Sequence, residues 1–198
     1  MSPRLKGEVS FETTRVFVAL PLGSETALQL EAVQSHLLAE AERQGVSLRL
    51  TPNYQFHVTL AFLGDVSIGK LRSVLGTVSE VFMSHTSLRV RMKELVVFPS
   101  ARHARVVGTA LEDTSGALCR AAALLHGSLR REGLGLEERE FRPHITLARL
   151  RPSTQVSFEA TQTWLAEPAF LCRTVAIYES VLGGQGSRYK VLHSVPLG

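Results

Sequence analysis

Cysteine is scarce: Cys119 and Cys172 are the only two in 198 residues, far apart and with no C-x-x-C or Cys/His cluster beside them. A disulfide framework and a structural zinc site are therefore not expected, and a reducing cytoplasm is the expected compartment. No stretch approaches the roughly 18 consecutive apolar residues that cross a bilayer, so no membrane partner is expected either. Met1 to Thr14 is mixed and polar and carries no apolar run of the kind a secretory signal needs. The chain also lacks a G-x-S-x-G nucleophile elbow, which leaves a serine-hydrolase site without support. A Pro/Ser-rich linker is absent too, so residues 15–198 are expected to form one domain of two lobes behind a lead-in at 1–14. Charge of one sign is not in large excess. The net value of +4 favours an anionic partner such as nucleic acid or a phosphate ester without establishing one. With 44% hydrophobic and 20% charged residues, the composition is that of an ordinary globular chain.

What the chain does have is a phrase spoken twice. Phe56-His57-Val58-Thr59-Leu60-Ala61 returns as Pro143-His144-Ile145-Thr146-Leu147-Ala148. Both copies alternate, so on a strand His and Thr share one face and the apolar residues share the other. The second copy begins 87 positions after the first. That is too long for a solenoid period and suits one copy per lobe, with the two copies facing each other as halves of one site.

Around these strands the pattern switches between periods of two and 3.6. Arg15–Leu20 reads as a strand stopped by Pro21, and the stripe Leu28, Leu30, Val33, Leu37, Leu38 as a helix capped by Ser24 and stopped by Gly45. Val46–Leu50 is a short arm, Phe56–Phe62 a strand closed by Gly64-Asp65, and Ser67–Phe82 a helix. Strands are expected at Ser87–Met92, Leu95–Phe98 and Val106–Thr109, and a long helix within Leu111–Arg131. A short helix over Thr161–Ala166 and strands at Cys172–Tyr178 and Tyr189–Leu192 complete the order. The class is α+β, with outer helices on antiparallel or mixed sheets and a polar face left free to line a central cleft.

Two imidazoles across a cleft suit a reaction in which one oxygen loses a proton while another gains one, because the ordinary pKa of His lies near neutrality. In phosphodiester cleavage one His takes a proton from the nucleophile and the other gives one to the leaving oxygen. Thr59 and Thr146 sit on the same faces and can donate hydrogen bonds to non-bridging phosphate oxygens. No metal or cofactor is expected, because each phrase offers one imidazole and no Asp, Glu or Cys to complete a metal shell. His36, His85, His126 and His193 have no Thr partner and no second copy, so structural or solvent roles are expected for them.

The phrases Phe56-His57-Val58-Thr59-Leu60-Ala61-Phe62-Leu63-Gly64-Asp65 and Phe141-Arg142-Pro143-His144-Ile145-Thr146-Leu147-Ala148-Arg149 resemble the two signature motifs of the two-histidine (2H) phosphoesterase superfamily. The resemblance is closest to its RNA 2',3'-cyclic phosphodiesterase branch, historically called 2'-5' RNA ligase. Arg15 to Pro21, Tyr178-Glu179-Ser180 and Arg188-Tyr189 carry it over nearly the whole chain from about residue 15. It implies a bilobal fold of two pseudo-symmetric lobes and metal-independent hydrolysis of a terminal 2',3'-cyclic phosphate to a 2'-phosphate, with a reverse 2'-5' joining activity. The implied substrate is an RNA end or a small cyclic nucleotide, and a monomer is expected.

Carried over by residue, the resemblance makes His57 and His144 the acid–base pair and has Thr59, Thr146 and Arg149 hold phosphate. The lean is that His57 protonates the leaving 3' oxygen and His144 activates water, but the sequence leaves that direction open. Parity along a continuing strand puts Arg149 on the face away from His144, and a bend would be needed to bring it back. Tyr54, Phe56 and Tyr189 are candidate base or ribose contacts, against core packing for Phe56 and an ordinary hairpin strand for Tyr189. Arg89, Arg91, Arg102, Arg105, Arg142 and Arg149 could form a phosphate track. The rival function is a nucleotide- or RNA-binding module without turnover.

Overall fold

The computed structural model describes residues 12–136, 140–158, 169–183 and 186–198. The expected helix at Thr161–Ala166, Gly184, most of the lead-in and the middle of the acidic loop before Phe141 lie outside the described residues. In chain order the elements are β1 (Thr13–Pro21), α1 (Ser24–Arg43), β2 (Arg49–Leu50), β3 (His57–Ser67), α2 (Ile68–Phe82), β4 (Leu88–Phe98), β5 (Ala104–Glu112), α3 (Ala117–Arg131), β6 (His144–Thr154), β7 (Phe170–Cys172), β8 (Thr174–Gly183) and β9 (Gly186–Pro196).

The strands form one sheet in the order β7-β4-β5-β6-β3-β1-β8-β9, with β2 alongside β6, and every described pairing is antiparallel. The order reads the same from its centre outward in both directions. β3 and β6 sit in the middle, β1 and β5 flank them, β8 and β4 come next, and β9 and β7 lie at the edges. α1 follows β1 as α3 follows β5, so the two lobes are related by a pseudo-twofold through the β3–β6 seam.

One core forms between the helices and the apolar face of the sheet. Val16, Val18 and Leu20 of β1, Leu30 and Leu37 of α1, and Leu118, Leu125 and Leu129 of α3 are all fully buried in it. Helical period in α1 and α3 and alternation in the strands aim these side chains at one another. Truncating any one of the leucines to Ala would cost about 2–5 kcal/mol. β1 is buried on both faces from Val16 to Leu20, which makes it the spine of its lobe.

Several element ends differ from the sequence expectation for local reasons. Gly23 rather than Ser24 is the N-cap of α1, and no side chain caps it. β5 runs on to Glu112, so α3 starts at Ala117, where the Asp113 carboxylate accepts from the N–H groups of Leu118 (2.6 Å) and Cys119 (3.4 Å). β1 begins at Thr13 and is tied to the end of β3 through Thr13 and Ser67. Gly64 does not close β3. Its φ of 68° lies within a bulge that lets the strand continue to Ser67, a conformation that glycine adopts without strain.

The β5–β6 pairing is intolerant of side-chain volume at one point. Gly108 of β5 pairs with Thr146, and a Cβ placed on it would lie 2.5 Å from the Ile145 carbonyl oxygen. Because that oxygen belongs to the backbone of a central strand, Gly108→Ala is expected to displace β6 and lower stability by about 1–3 kcal/mol. Thermal unfolding of the purified variant checks this.

Candidate active site

β3 and β6 are joined in register at Val58 and Ile145, the residues between His and Thr in each phrase. Since the pairing is antiparallel, His57 and Thr146 flank that pair on one side, and Thr59 and His144 flank it on the other. Each imidazole thus lies beside the other lobe's threonine. Among the described residues, neither threonine hydroxyl forms a hydrogen bond within the protein.

Both rings are held the same way. Nδ1 of His57 lies 2.6 Å from the Gln55 carbonyl oxygen, and Nδ1 of His144 lies 2.8 Å from that of Arg142. A carbonyl can only accept, so each Nδ1 carries the hydrogen and donates it, and each Nε2 is left to exchange protons. The surroundings differ. Phe17 (5.2 Å between centroids), Tyr189 (5.5 Å, edge-on) and Tyr178 (6.4 Å) enclose His57, whereas Phe98 (4.8 Å) packs beside His144. Burial pushes the pKa of His57 below its ordinary 6.5. The Gln55 carbonyl opposes that shift, while the charges of Arg149 and His144 add to it.

That coupling places Arg149 within electrostatic reach of His57, on the face where simple parity does not put it. The register supplies the reason. Gly108 pairs with Thr146 but Val107 pairs with Ala148, so Leu147 is an extra residue bulged out of the ladder. The bulge reverses the alternation, and Arg149 follows His144 and Thr146 onto the working face, opposite Val106. β3 repeats the device: Ala19 pairs with Thr59 and Val18 with Ala61, which leaves Leu60 extra. Phe62 is therefore the positional counterpart of Arg149. It is 61% exposed, and its ring lies 6.0 Å from that of Phe17.

The remaining candidates separate. Tyr189 is brought to His57. Tyr54 stands 82% exposed on the 3-10 turn Asn53–Gln55. Phe56 is a correction: it points away from the site, is 3% exposed and belongs to the core, so no surface is left to meet a base. Of the six arginines, Arg91 pairs with Glu112 (3.8 Å) and Arg142 with Glu140 (3.5 Å), both at exposed positions. Sequence pattern does not single out Phe17, Tyr178, Phe62 or Phe98 as lining residues. The one signal is the unbroken apolar run of β1, which marks a strand covered on both faces and so a Phe17 that faces the site.

Residues 20–108 match the family model described as LigT like Phosphoesterase. The RNA 2',3'-cyclic phosphodiesterase of Aeropyrum pernix is 28% identical over 159 residues, covering 76% of this chain and 87% of that protein. A Thermus thermophilus crystal structure superposes with a TM-score of 0.77 at 25% identity, covering 92% of this chain and 97% of the other. Escherichia coli LigT complexed with 3'-AMP gives a TM-score of 0.75 at 24% identity, covering 94% and 99%. The family match over 20–108, the relatives and the palindromic sheet agree in making the chain similar to the LigT-like phosphoesterases.

Proposed function

We propose that the protein is an RNA 2',3'-cyclic phosphodiesterase that hydrolyses a terminal 2',3'-cyclic phosphate to a 2'-phosphate. The observation that carries this is the antiparallel seam at Val58 and Ile145, which sets two imidazoles and two threonine hydroxyls around one point. The name of the Aeropyrum pernix relative supports the substrate class, and the 3'-AMP complex of Escherichia coli LigT supports a nucleotide-sized ligand.

In this scheme a phosphate sits between the histidines. Thr59 and Thr146 donate to its non-bridging oxygens and Arg149 balances its charge. His144 takes a proton from water as the water oxygen bonds to phosphorus, and His57 gives a proton to the 3' oxygen as that bond breaks. The aromatic wall on the His57 side suits this direction, because a ribose carrying the leaving oxygen can pack there with Tyr189. Phe62 and Tyr54 are the exposed rings available to a base. If a 5'-hydroxyl replaces water at the same phosphorus, the product is a 2'-5' phosphodiester, so the same atoms serve the joining reaction. Imidazoles handle both protons and protein donors hold the charge, so turnover is expected to persist in EDTA. Both histidines come from one chain, so a monomer, with residues 15–198 as one catalytic domain, suffices.

His57→Ala and His144→Ala are each expected to lower kcat/KM on such an RNA end by about 10²–10⁴ while the protein stays folded. Either variant keeping full activity with an intact thermal transition would overturn the acid–base pair.

The roles of the two histidines can be read from the crippled enzyme. In His144→Ala only His57 of the pair titrates, and its pKa lies below 6.5. As an acid it loses function when deprotonated, so residual kcat/KM is expected to fall as pH rises through that midpoint. A residual rate that rises with pH over the same range would make His57 the base and exchange the two roles.

A further inference from the structure

The two bulges leave a polar group to satisfy in each motif strand. Leu60 and Leu147 are the extra residues, so neither faces a partner residue of its own across the ladder to β1 or β5, yet both side chains are buried in the core. A buried carbonyl left unpaired is costly, so its partner is informative. The Leu147 carbonyl accepts from the side-chain amide of Gln34 on α1 at 2.7 Å and from the Thr51 N–H at 2.8 Å. The Leu60 carbonyl lies 2.8 Å from Nε2 of His126 on α3, which must be the donor. Gln34 is 5% exposed and also donates to the Thr51 carbonyl at 2.8 Å.

The arrangement has the symmetry of the site. Each motif strand has a bulge one residue after its threonine, and the bulged carbonyl is held from behind by a helix side chain. The helices cross over: α1, from the half that carries β3, holds β6, and α3, which leads into β6, holds β3. Each bond is made at the bulge whose reversal of alternation turns residue 149 in one strand and residue 62 in the other onto the working face.

We propose that Gln34 and His126 are positioning residues of the active site, Gln34 acting through Arg149 and His126 through Phe62. Neither touches substrate. The proposal rests on the phosphodiesterase reading for its kinetic assay but not for its geometry. A helix donor that merely stabilised the fold would lower thermal stability and leave the kinetics of the folded protein unchanged. A positioning residue changes KM in protein that remains folded, and its effect vanishes once the side chain it positions is gone.

The test uses Gln34→Leu, Arg149→Ala and the double variant of the full chain, with an RNA oligonucleotide ending in a 2',3'-cyclic phosphate. Gln34→Leu is expected to raise KM about tenfold at a temperature where it is folded. The double variant is expected to be no worse than Arg149→Ala alone. Independent, multiplying losses would overturn the assignment, as would an unchanged KM in Gln34→Leu. His126 provides a second route should Gln34→Leu not fold: His126→Gln, whose amide can still donate, is expected to keep most of the wild-type KM, and His126→Leu to lose it. Equal behaviour of that pair would count against the proposal. If the wild-type protein does not turn over the RNA, the phosphodiesterase reading fails. The Gln34 and Arg149 variants are then compared by calorimetric affinity for inorganic phosphate, where the same non-additivity is expected and its absence overturns the clamp.

Discussion

The backbone pairing of Val58 with Ile145 joins β3 to β6 in register, and the working face is arranged around it. Because side chains alternate along a strand, fixing that one pair fixes the side on which both histidines and both threonines stand. A slip of one residue at the seam would turn the His and Thr of the slipped strand into the core.

From that seam the two lobes diverge in what they offer. The β3 side is aromatic: Phe17, Tyr178 and Tyr189 enclose His57, and Phe62 stands exposed beyond them. The β6 side ends in the cation of Arg149. A symmetric scaffold thus carries an asymmetric lining, which fits the proposed substrate, with a nucleoside on one flank of its phosphorus and an attacking oxygen on the other. Burial also acts on the enclosed imidazole, since His57 resists protonation in the free protein. An anion bound beside that desolvated ring acts against the resistance.

Much of this was legible in the residues. Alternation in the repeated phrase placed His and Thr together, and apolar period placed most strands and all three described helices. Bulges escaped, because Leu60 and Leu147 look like any core leucine and nothing in their neighbours marks an extra residue. Parity then placed Arg149 on the wrong face and hid Phe62. For Phe56 parity was right: the residue before His57 faces the core, against its candidacy as a base contact. Gly64 was visible as a residue suited to positive φ, but a turn and a bulge ask the same of glycine, and only the partner strand distinguishes them. His126 lacked a threonine partner, and its role depends on a carbonyl 66 positions away in the chain.

In the proposed function, two histidines on paired strands open a cyclic phosphate toward one end. The most direct measurement is phosphorus NMR of an RNA oligonucleotide ending in a 2',3'-cyclic phosphate, incubated with the purified protein in EDTA. Conversion of the cyclic signal to a single 2'-phosphomonoester is expected. A 3'-phosphate, or a cyclic signal that persists while the RNA stays bound, would contradict it.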